Sequence, residues 1–264
     1  MDYKNIILDV HDHVAYIILN RPQAMNSLSI GLLRELSSAL SELELNPEVL
    51  GVILTGNGKA FCAGADLTGD DVVSVAENQL ENTRDKIRWI HGVFNQLENF
   101  PRPVIAAING YALGGGCEIS MCCDIRIASE SAILGQPEVG LGVIACYGGP
   151  QRLPRLVGAG KAKELLYTAK KIGALEAKEI GLVNYVVPHE GLMKAAEDMM
   201  HSILVNAPIS VKYTKTCVNR GLELPLDYAL ELEIDMVSLC MGTGDAVEGT
   251  QAFREKRKPI FKNR

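Results

Sequence analysis

Two short runs in this chain are apolar at nearly every position, residues 51–55 (GVILT) and 103–108 (PVIAAI), and a glycine-containing turn follows each. A strand that shows one face to water alternates apolar and polar residues. A strand apolar on both faces has to be covered on both sides, which is the condition of a parallel sheet inside an α/β domain. Helical patterns lie between such runs. Leu33, Leu36, Leu40 and Leu43 recur at helical spacing ahead of the first, and Ile87, Ile90, Phe94 and Leu97 ahead of the second, where Pro101 and Pro103 close the pattern. Residues 14–19 (VAYIIL) read as a further strand, and Asn57-Gly58 as a turn. This rhythm predicts an α/β core.

From about residue 190 the strand-like runs stop. Leu192, Ala196, Met199 and Ile203 share one helical face, and Pro208 and Pro225 stand where new helices start. The expected organisation is a core over residues 1–195 and a helical region over 196–264. With 47% hydrophobic residues the chain has the means to bury a sizeable core. Acids outnumber bases 32 to 26, a formal charge of -6, which argues against nucleic acid or an anionic membrane as partner. The tail 254–264, REKRKPIFKNR, is a local exception with six bases and one acid, and reads first as a solvated terminus.

Seven cysteines, odd in number and without a CxxC pair, suggest neither a disulfide framework nor a zinc site; a reducing cytoplasm fits best. The N-terminal MDYKNIILDV lacks the basic-then-apolar pattern of a secretory signal. The most apolar region, residues 104–117, is broken by Asn109 and glycines and is shorter than the roughly 20 residues of a membrane span.

Three familiar patterns fail on context. Gly140, Gly142 and Ala145 satisfy G-x-G-x-x-A, but Gln136, Pro137 and Glu138 precede them where a dinucleotide site needs a strand. Gly160-Lys161 has Arg155 where a phosphate loop needs its first glycine, and no Ser or Thr follows the lysine. His11 and His13 flank Asp12, yet no histidine lies four residues from another, so a solvated turn is expected rather than a metal site.

What remains is KAFCAGADL (59–67) after the 51–55 strand and NGYALGGGCEI (109–119) after the 103–108 strand. Glycine serves where backbone must approach a ligand or take positive φ. Gly114-Gly115-Gly116 ahead of CEISMCC would place N–H groups at the start of a buried helix, where negative charge is favoured. Glu118, a single carboxylate in that apolar stretch, requires an explanation.

The blocks AFCAGADL, NGYALGGGCEISMCCD, GQPEVGLG and GGPQRLPRLVG, in this order, resemble those of the crotonase superfamily and, within it, the enoyl-CoA hydratases. The similarity runs from ILNRPQAMNSL (18–28) to the C-terminal tail. The resemblance implies a spiral of ββα units followed by a helical trimerisation region. It also implies a homotrimer or homohexamer, and an acyl-CoA thioester substrate with no metal or redox cofactor. Apolar faces carrying Leu192, Met199, Ile203, Leu230, Met236 and Val237 are then expected between subunits.

Hydration of an α,β-unsaturated thioester passes through an enolate-like state with charge on the carbonyl oxygen, for which two fixed backbone donors are suited. By resemblance these are the N–H groups of Ala65 and Gly115. Proton transfer at two carbons calls for two acid/base groups, and Glu118 and Glu138 match the family's pair. The resemblance makes Glu118 the base that activates water for Cβ and Glu138 the acid that protonates Cα. It also places the backbone of residues 63–67 (Ala63, Gly64, Ala65, Asp66, Leu67) against the adenine, with Asp66 and Leu67 at the entrance and Ala24 near them. Gly114 is expected to line the substrate site, and a lysine of the tail to meet the nucleotide phosphates.

The chain departs from the pattern at residues 144–147 (IACY), where related hydratases commonly show something like I-P-G-A. Cys146 and Tyr147 are therefore expected to narrow the acyl pocket. Cys146 as a nucleophile lacks a histidine nearby in sequence. Other lyases or enoyl-CoA isomerases of the superfamily, and a silent CoA-binding or RNA-binding member, are the alternatives; the intact glutamate pair favours a hydratase.

Overall fold

The computed structural model describes residues 3–67 and 80–264, as ten strands and ten α-helices among them. A six-stranded sheet has the order β1 (Ile6–His11), β2 (Val14–Leu19), β3 (Gly51–Gly56), β5 (Val104–Ile108), β7 (Ile125–Ser129), β10 (Tyr185–Val187). All its pairings are parallel except the β1/β2 hairpin. Asp12 and His13 make that hairpin's turn with φ of 50° and 64°.

A second sheet runs β4 (Ala60–Cys62), β6 (Tyr111–Leu113), β8 (Ile133–Gly135), β9 (Lys171–Gly173), parallel except at β8/β9. Its strands come from the turns expected after the long strands. β3 leads within a few residues to β4, β5 to β6, and β7 to β8, each in parallel register with the last. The carboxyl ends of β4, β6 and β8 therefore lie side by side, and the sequence blocks CAGAD, GGGCE and QPE follow from them. In parallel sheets this is the edge where ligand sites form.

The doubly apolar strands are covered as their composition requires. Val52, Leu54, Val104, Ala106 and Ile108 join the main core with α1 (Ile30–Leu45) and α2 (Leu80–Glu98). The alternate residues Ile53, Ile105 and Ala107 face Leu192, Ala196 and Met200 of α7 (Leu192–Leu204). Both expected helices and all three expected strands are present.

The expected faces of the helical region divide. Leu192 is 2% exposed, and Met199 and Ile203 pack against the same cluster, so the α7 face is buried within the chain itself rather than between subunits. The change of character after residue 195 lies inside this helix. The helices α8 (Pro208–Gly221), α9 (Leu226–Met241) and α10 (Gly244–Glu255) differ. α9 has no buried residue and exposes Leu226, Leu230, Ile234 and Val237, with Met236 half-buried. The basic tail folds back onto α10. Asp245 accepts from the N–H groups of Lys262 (2.7 Å) and Asn263 (2.8 Å), and Glu248 accepts from Arg257 and from the N–H of Ile260.

Candidate active site

Three consecutive strand ends build the site. After β4, Gly64 takes φ of +107°, and a Cβ there would lie 2.9 Å from the carbonyl oxygen of Leu113 and 3.6 Å from the Gly115 nitrogen. Only glycine lets the two turns meet so closely. The segment 24–28 lies along the other side of the first turn. Leu28 donates to the Gly64 carbonyl (2.7 Å), Asp66 donates to the Leu28 carbonyl (3.2 Å), and Ala63 donates to Met25 (3.0 Å). In this parallel bridge Leu28 uses the groups on either side of Ala65, so Ala65's own N–H points away from it. Gly115 opens α3 (Gly115–Met121), where the first N–H groups have no partner in the helix. Neither the Ala65 nor the Gly115 N–H donates a hydrogen bond to another described residue.

Glu118 stands in the first turn of α3 and is 1% exposed. Its Oε1 accepts two backbone N–H groups, from Tyr147 at 2.8 Å and Gly149 at 2.6 Å. Burial pushes its carboxyl up to about 7; the Gly149 and Tyr147 N–H groups and the Arg152 guanidinium oppose this, and the Glu138 carboxylate adds to it. Glu138 follows β8 in the short 3-10 turn Glu138–Leu141. Its Oε1 would be 2.5 Å from a Cβ on Gly114, which has φ of +50°. The carboxylate therefore lies on the glycine turn itself. Partial burial raises its pKa too. Two carboxyls thus flank one turn, whose Gly114 N–H is spent on the Gly135 carbonyl and whose Gly115 N–H is unengaged.

Cys146 and Tyr147 part company. Tyr147 is 8% exposed, packs edge-on against Phe94 with ring centroids 5.6 Å apart, and backs Gly115, whose Cβ would be 2.9 Å from the ring. Its ring supports the turn from the core side. Cys146 reaches solvent. Yet the protein around its thiol, and then the Glu118 and Glu138 carboxylates, push it up to about 12, which disfavours a nucleophile at neutral pH. A histidine does lie near: His91 of α2 is close to the backbone of Cys146.

The side chain of Asp66, 6% exposed, is held by Arg21 at 2.7 Å. Arg21 also donates to the Ser27 carbonyl (2.6 Å), so the pair fastens segment 21–28 to the turn. Leu67 is exposed, and Ala24 lies one residue before the Met25 carbonyl that receives Ala63 N–H. The sequence reading missed Gln136. It is buried, and in the amide orientation that satisfies both of its polar atoms the nitrogen donates to the two Glu138 carboxylate oxygens at 3.2 and 3.3 Å. Its place two residues before Glu138, on a strand end, was the available signal. Among the described residues no group of three His, Cys, Asp or Glu is placed to hold a metal, and no helix is long and apolar enough to cross a membrane.

The profile of the family described as enoyl-CoA hydratase/isomerase matches residues 9–264. The short-chain-enoyl-CoA hydratase of Clostridium acetobutylicum is 47% identical over 100% of both chains. The crotonyl-CoA hydratase of Syntrophomonas wolfei is 45% identical over 99% of each. Among solved structures, an enoyl-CoA hydratase from Bacillus anthracis superposes with a TM-score of 0.93 at 45% identity, covering 99% of this chain and 100% of its own.

Proposed function

The chain belongs to the enoyl-CoA hydratase/isomerase family, and from that premise we propose that it is an enoyl-CoA hydratase. It adds water reversibly across the 2,3 double bond of a short-chain enoyl-CoA to give the 3-hydroxyacyl-CoA. The observation that carries the reading is the convergence of Glu118 and Glu138 on a glycine turn beside two unengaged N–H groups.

In this reading the steps are as follows. The thioester carbonyl accepts from Ala65 and Gly115. Glu118, whose carboxyl burial raises toward neutrality, takes in its ionised form a proton from water as the oxygen bonds to Cβ. The double-bond electrons move onto the carbonyl oxygen, and the two N–H groups hold the resulting enolate. Glu138 then gives its proton to Cα as the enolate collapses. A base with a pKa near the working pH combines useful ionised fraction with useful proton affinity. Every bond change is a proton transfer or an addition, so the reading needs neither metal nor redox cofactor, and coenzyme A enters as part of the substrate.

The names of the relatives from C. acetobutylicum and S. wolfei support a short acyl chain. The exposed apolar face of α9 supports assembly into a homotrimer or a homohexamer, and the cysteine pattern supports a cytoplasmic location. The test is loss of the conjugated enoyl absorbance of crotonyl-CoA with wild type, Glu118→Gln and Glu138→Gln. Wild-type turnover with loss in both variants is expected; an inactive wild type refutes the reading.

A further inference from the structure

The turn that holds Glu118 is itself held from α2. Arg152, in α4 (Gly149–Val157), is 13% exposed at its side chain. Its Nε and Nη2 donate to the two carboxylate oxygens of Glu98, at 3.1 and 2.6 Å, and Nη2 donates also to Asn95 Oδ1 at 2.9 Å. Its remaining nitrogen, Nη1, donates to the Tyr147 carbonyl at 3.2 Å. The peptide N–H of that same Tyr147 is one of the two donors to Glu118. Gly148, between the two donor residues, takes φ of +111°, and a Cβ there would collide with Arg152 Nη1, so the absence of a side chain lets the end of the guanidinium reach the turn.

We propose that Arg152 is a positioning residue for proton transfer at Glu118: clamped to α2 by Glu98 and Asn95, it holds the Tyr147 carbonyl and thereby aims the Tyr147 and Gly149 N–H groups at the carboxylate. The proposal rests on the hydratase reading for its kinetic consequences. A planar fork with all three nitrogens engaged defines direction as well as distance, which a point donor such as lysine does not. Among the described residues the turn's hydrogen bonds to Glu118 come from two peptide N–H groups, so the orientation of two peptide units decides whether the base is solvated by the protein.

The charge of Arg152 works in the same direction. It favours the ionised form of Glu118, against burial and against the Glu138 carboxylate. The other titratable groups around Glu118 do not supply positive charge near neutral pH. The thiols of Cys117, Cys122 and Cys146 and the Tyr147 hydroxyl are all pushed up by burial, and His91 on α2 is pushed down by burial and then by Arg152 itself. Glu98 is spent on Arg152.

Three variants separate position from charge. Arg152→Lys keeps the charge and loses the fork; Arg152→Gln loses both; Glu98→Gln leaves the charge but loosens the grip. With crotonyl-CoA we expect kcat to fall on the order of 10- to 100-fold in Arg152→Gln, the scale of a misplaced reacting group, with KM little changed. Its acid limb of kcat/KM should move to higher pH. Arg152→Lys and Glu98→Gln should lose kcat with a smaller move of the acid limb in the same direction, since the Gly149 and Tyr147 N–H groups also favour the ionised carboxyl. Wild-type kcat and an unmoved limb in folded Arg152→Gln overturn the proposal, as does a rise in KM alone. If the Arg152 variants fail to fold, Glu98→Gln decides by the same kcat criterion. Wild-type turnover tests the hydratase reading separately. The titration of Glu118, read by infrared difference against Glu118→Gln, tests the positioning whatever the substrate; a titration identical in wild type and Arg152→Gln overturns it.

Discussion

Glu118→Gln should make the protein less active and should gain stability relative to wild type as the pH rises from acid to alkaline. In the folded chain burial holds the Glu118 carboxyl at about 7 against an ordinary value of 4.5. Between those two values the native state binds a proton that the unfolded state has released. Stability contributed by this group is therefore fully present below about pH 4.5, falls as the pH rises, and is lost above about pH 7. At about 1.4 kcal/mol per pKa unit the full span is about 3 kcal/mol, an order-of-magnitude figure. Glutamine keeps an oxygen to accept from Tyr147 and Gly149 but does not ionise. Whatever fixed cost its amide hydrogens bring does not vary with pH, whereas the wild-type penalty does.

The measurement is urea unfolding of both proteins from about pH 5 to pH 8 at one protomer concentration, since assembly would couple to stability. The difference in unfolding free energy should shift in favour of the variant by up to about 3 kcal/mol across that range. Other titrating groups, Glu138 and Asp124 among them, are common to both proteins and cancel to the extent that they do not couple to Glu118. A difference that stays level from acid to alkaline pH would refute the claim that burial has raised this carboxyl, and with it the account of Glu118 as a base poised near neutrality.

Glu138→Gln, like Glu118→Gln, should lower crotonyl-CoA hydration by on the order of 100-fold or more. The double variant should fall well short of the product of the two losses, because the groups act as a unit; steady-state kinetics decide it. Asp66→Asn should lower the thermal midpoint, by breaking its pair with Arg21, and leave KM for the CoA thioester nearly unchanged; a large KM effect would return Asp66 to the binding site. Cys146→Gly should broaden the range of enoyl chain lengths accepted, seen as kcat/KM from C4 to C10. Tyr147→Ala should mainly destabilise, by roughly 3–5 kcal/mol as for other buried aromatics, by denaturant titration. Leu230→Asp with Val237→Asp should dissociate the assembly in light scattering, and an unchanged mass would place the interface elsewhere.

The strands that carry the fold were legible because burial on both faces leaves an unambiguous mark: GVILT and PVIAAI are apolar at both parities, and the structure covers both parities. The three-residue strands β4, β6, β8 and β9 were not. A run of three has no periodicity to read, and AFC or ILG differ little from any apolar turn. Their existence follows from pairing with one another, a property no single segment carries. The same limit explains α7, whose apolar stripe is as consistent with a sheet as with a partner subunit. Amphipathicity says that a face is buried and is silent about what buries it.

The site divides along the same line. Glu118 and Glu138 were visible because each is an expensive residue in its setting, a carboxylate among apolar or glycine neighbours, and cost is what a sequence can display. Asp66 looked equally available, yet its charge is answered by Arg21, 45 positions away in sequence, and only the structure shows the answer. Arg152 is the converse. In GGPQRLPRLVG it is one of two arginines five to eight residues beyond a turn, and Arg155, its neighbour on the same helix, makes an exposed pair with Glu223. Nothing in spacing separates the two. What separates them is that Arg152 reaches back over Gly148 to a carbonyl whose own N–H donates to the Glu118 carboxylate. Roles exerted through a peptide unit leave no side-chain signature, because the donor and acceptor that transmit them are present at almost every position of any chain.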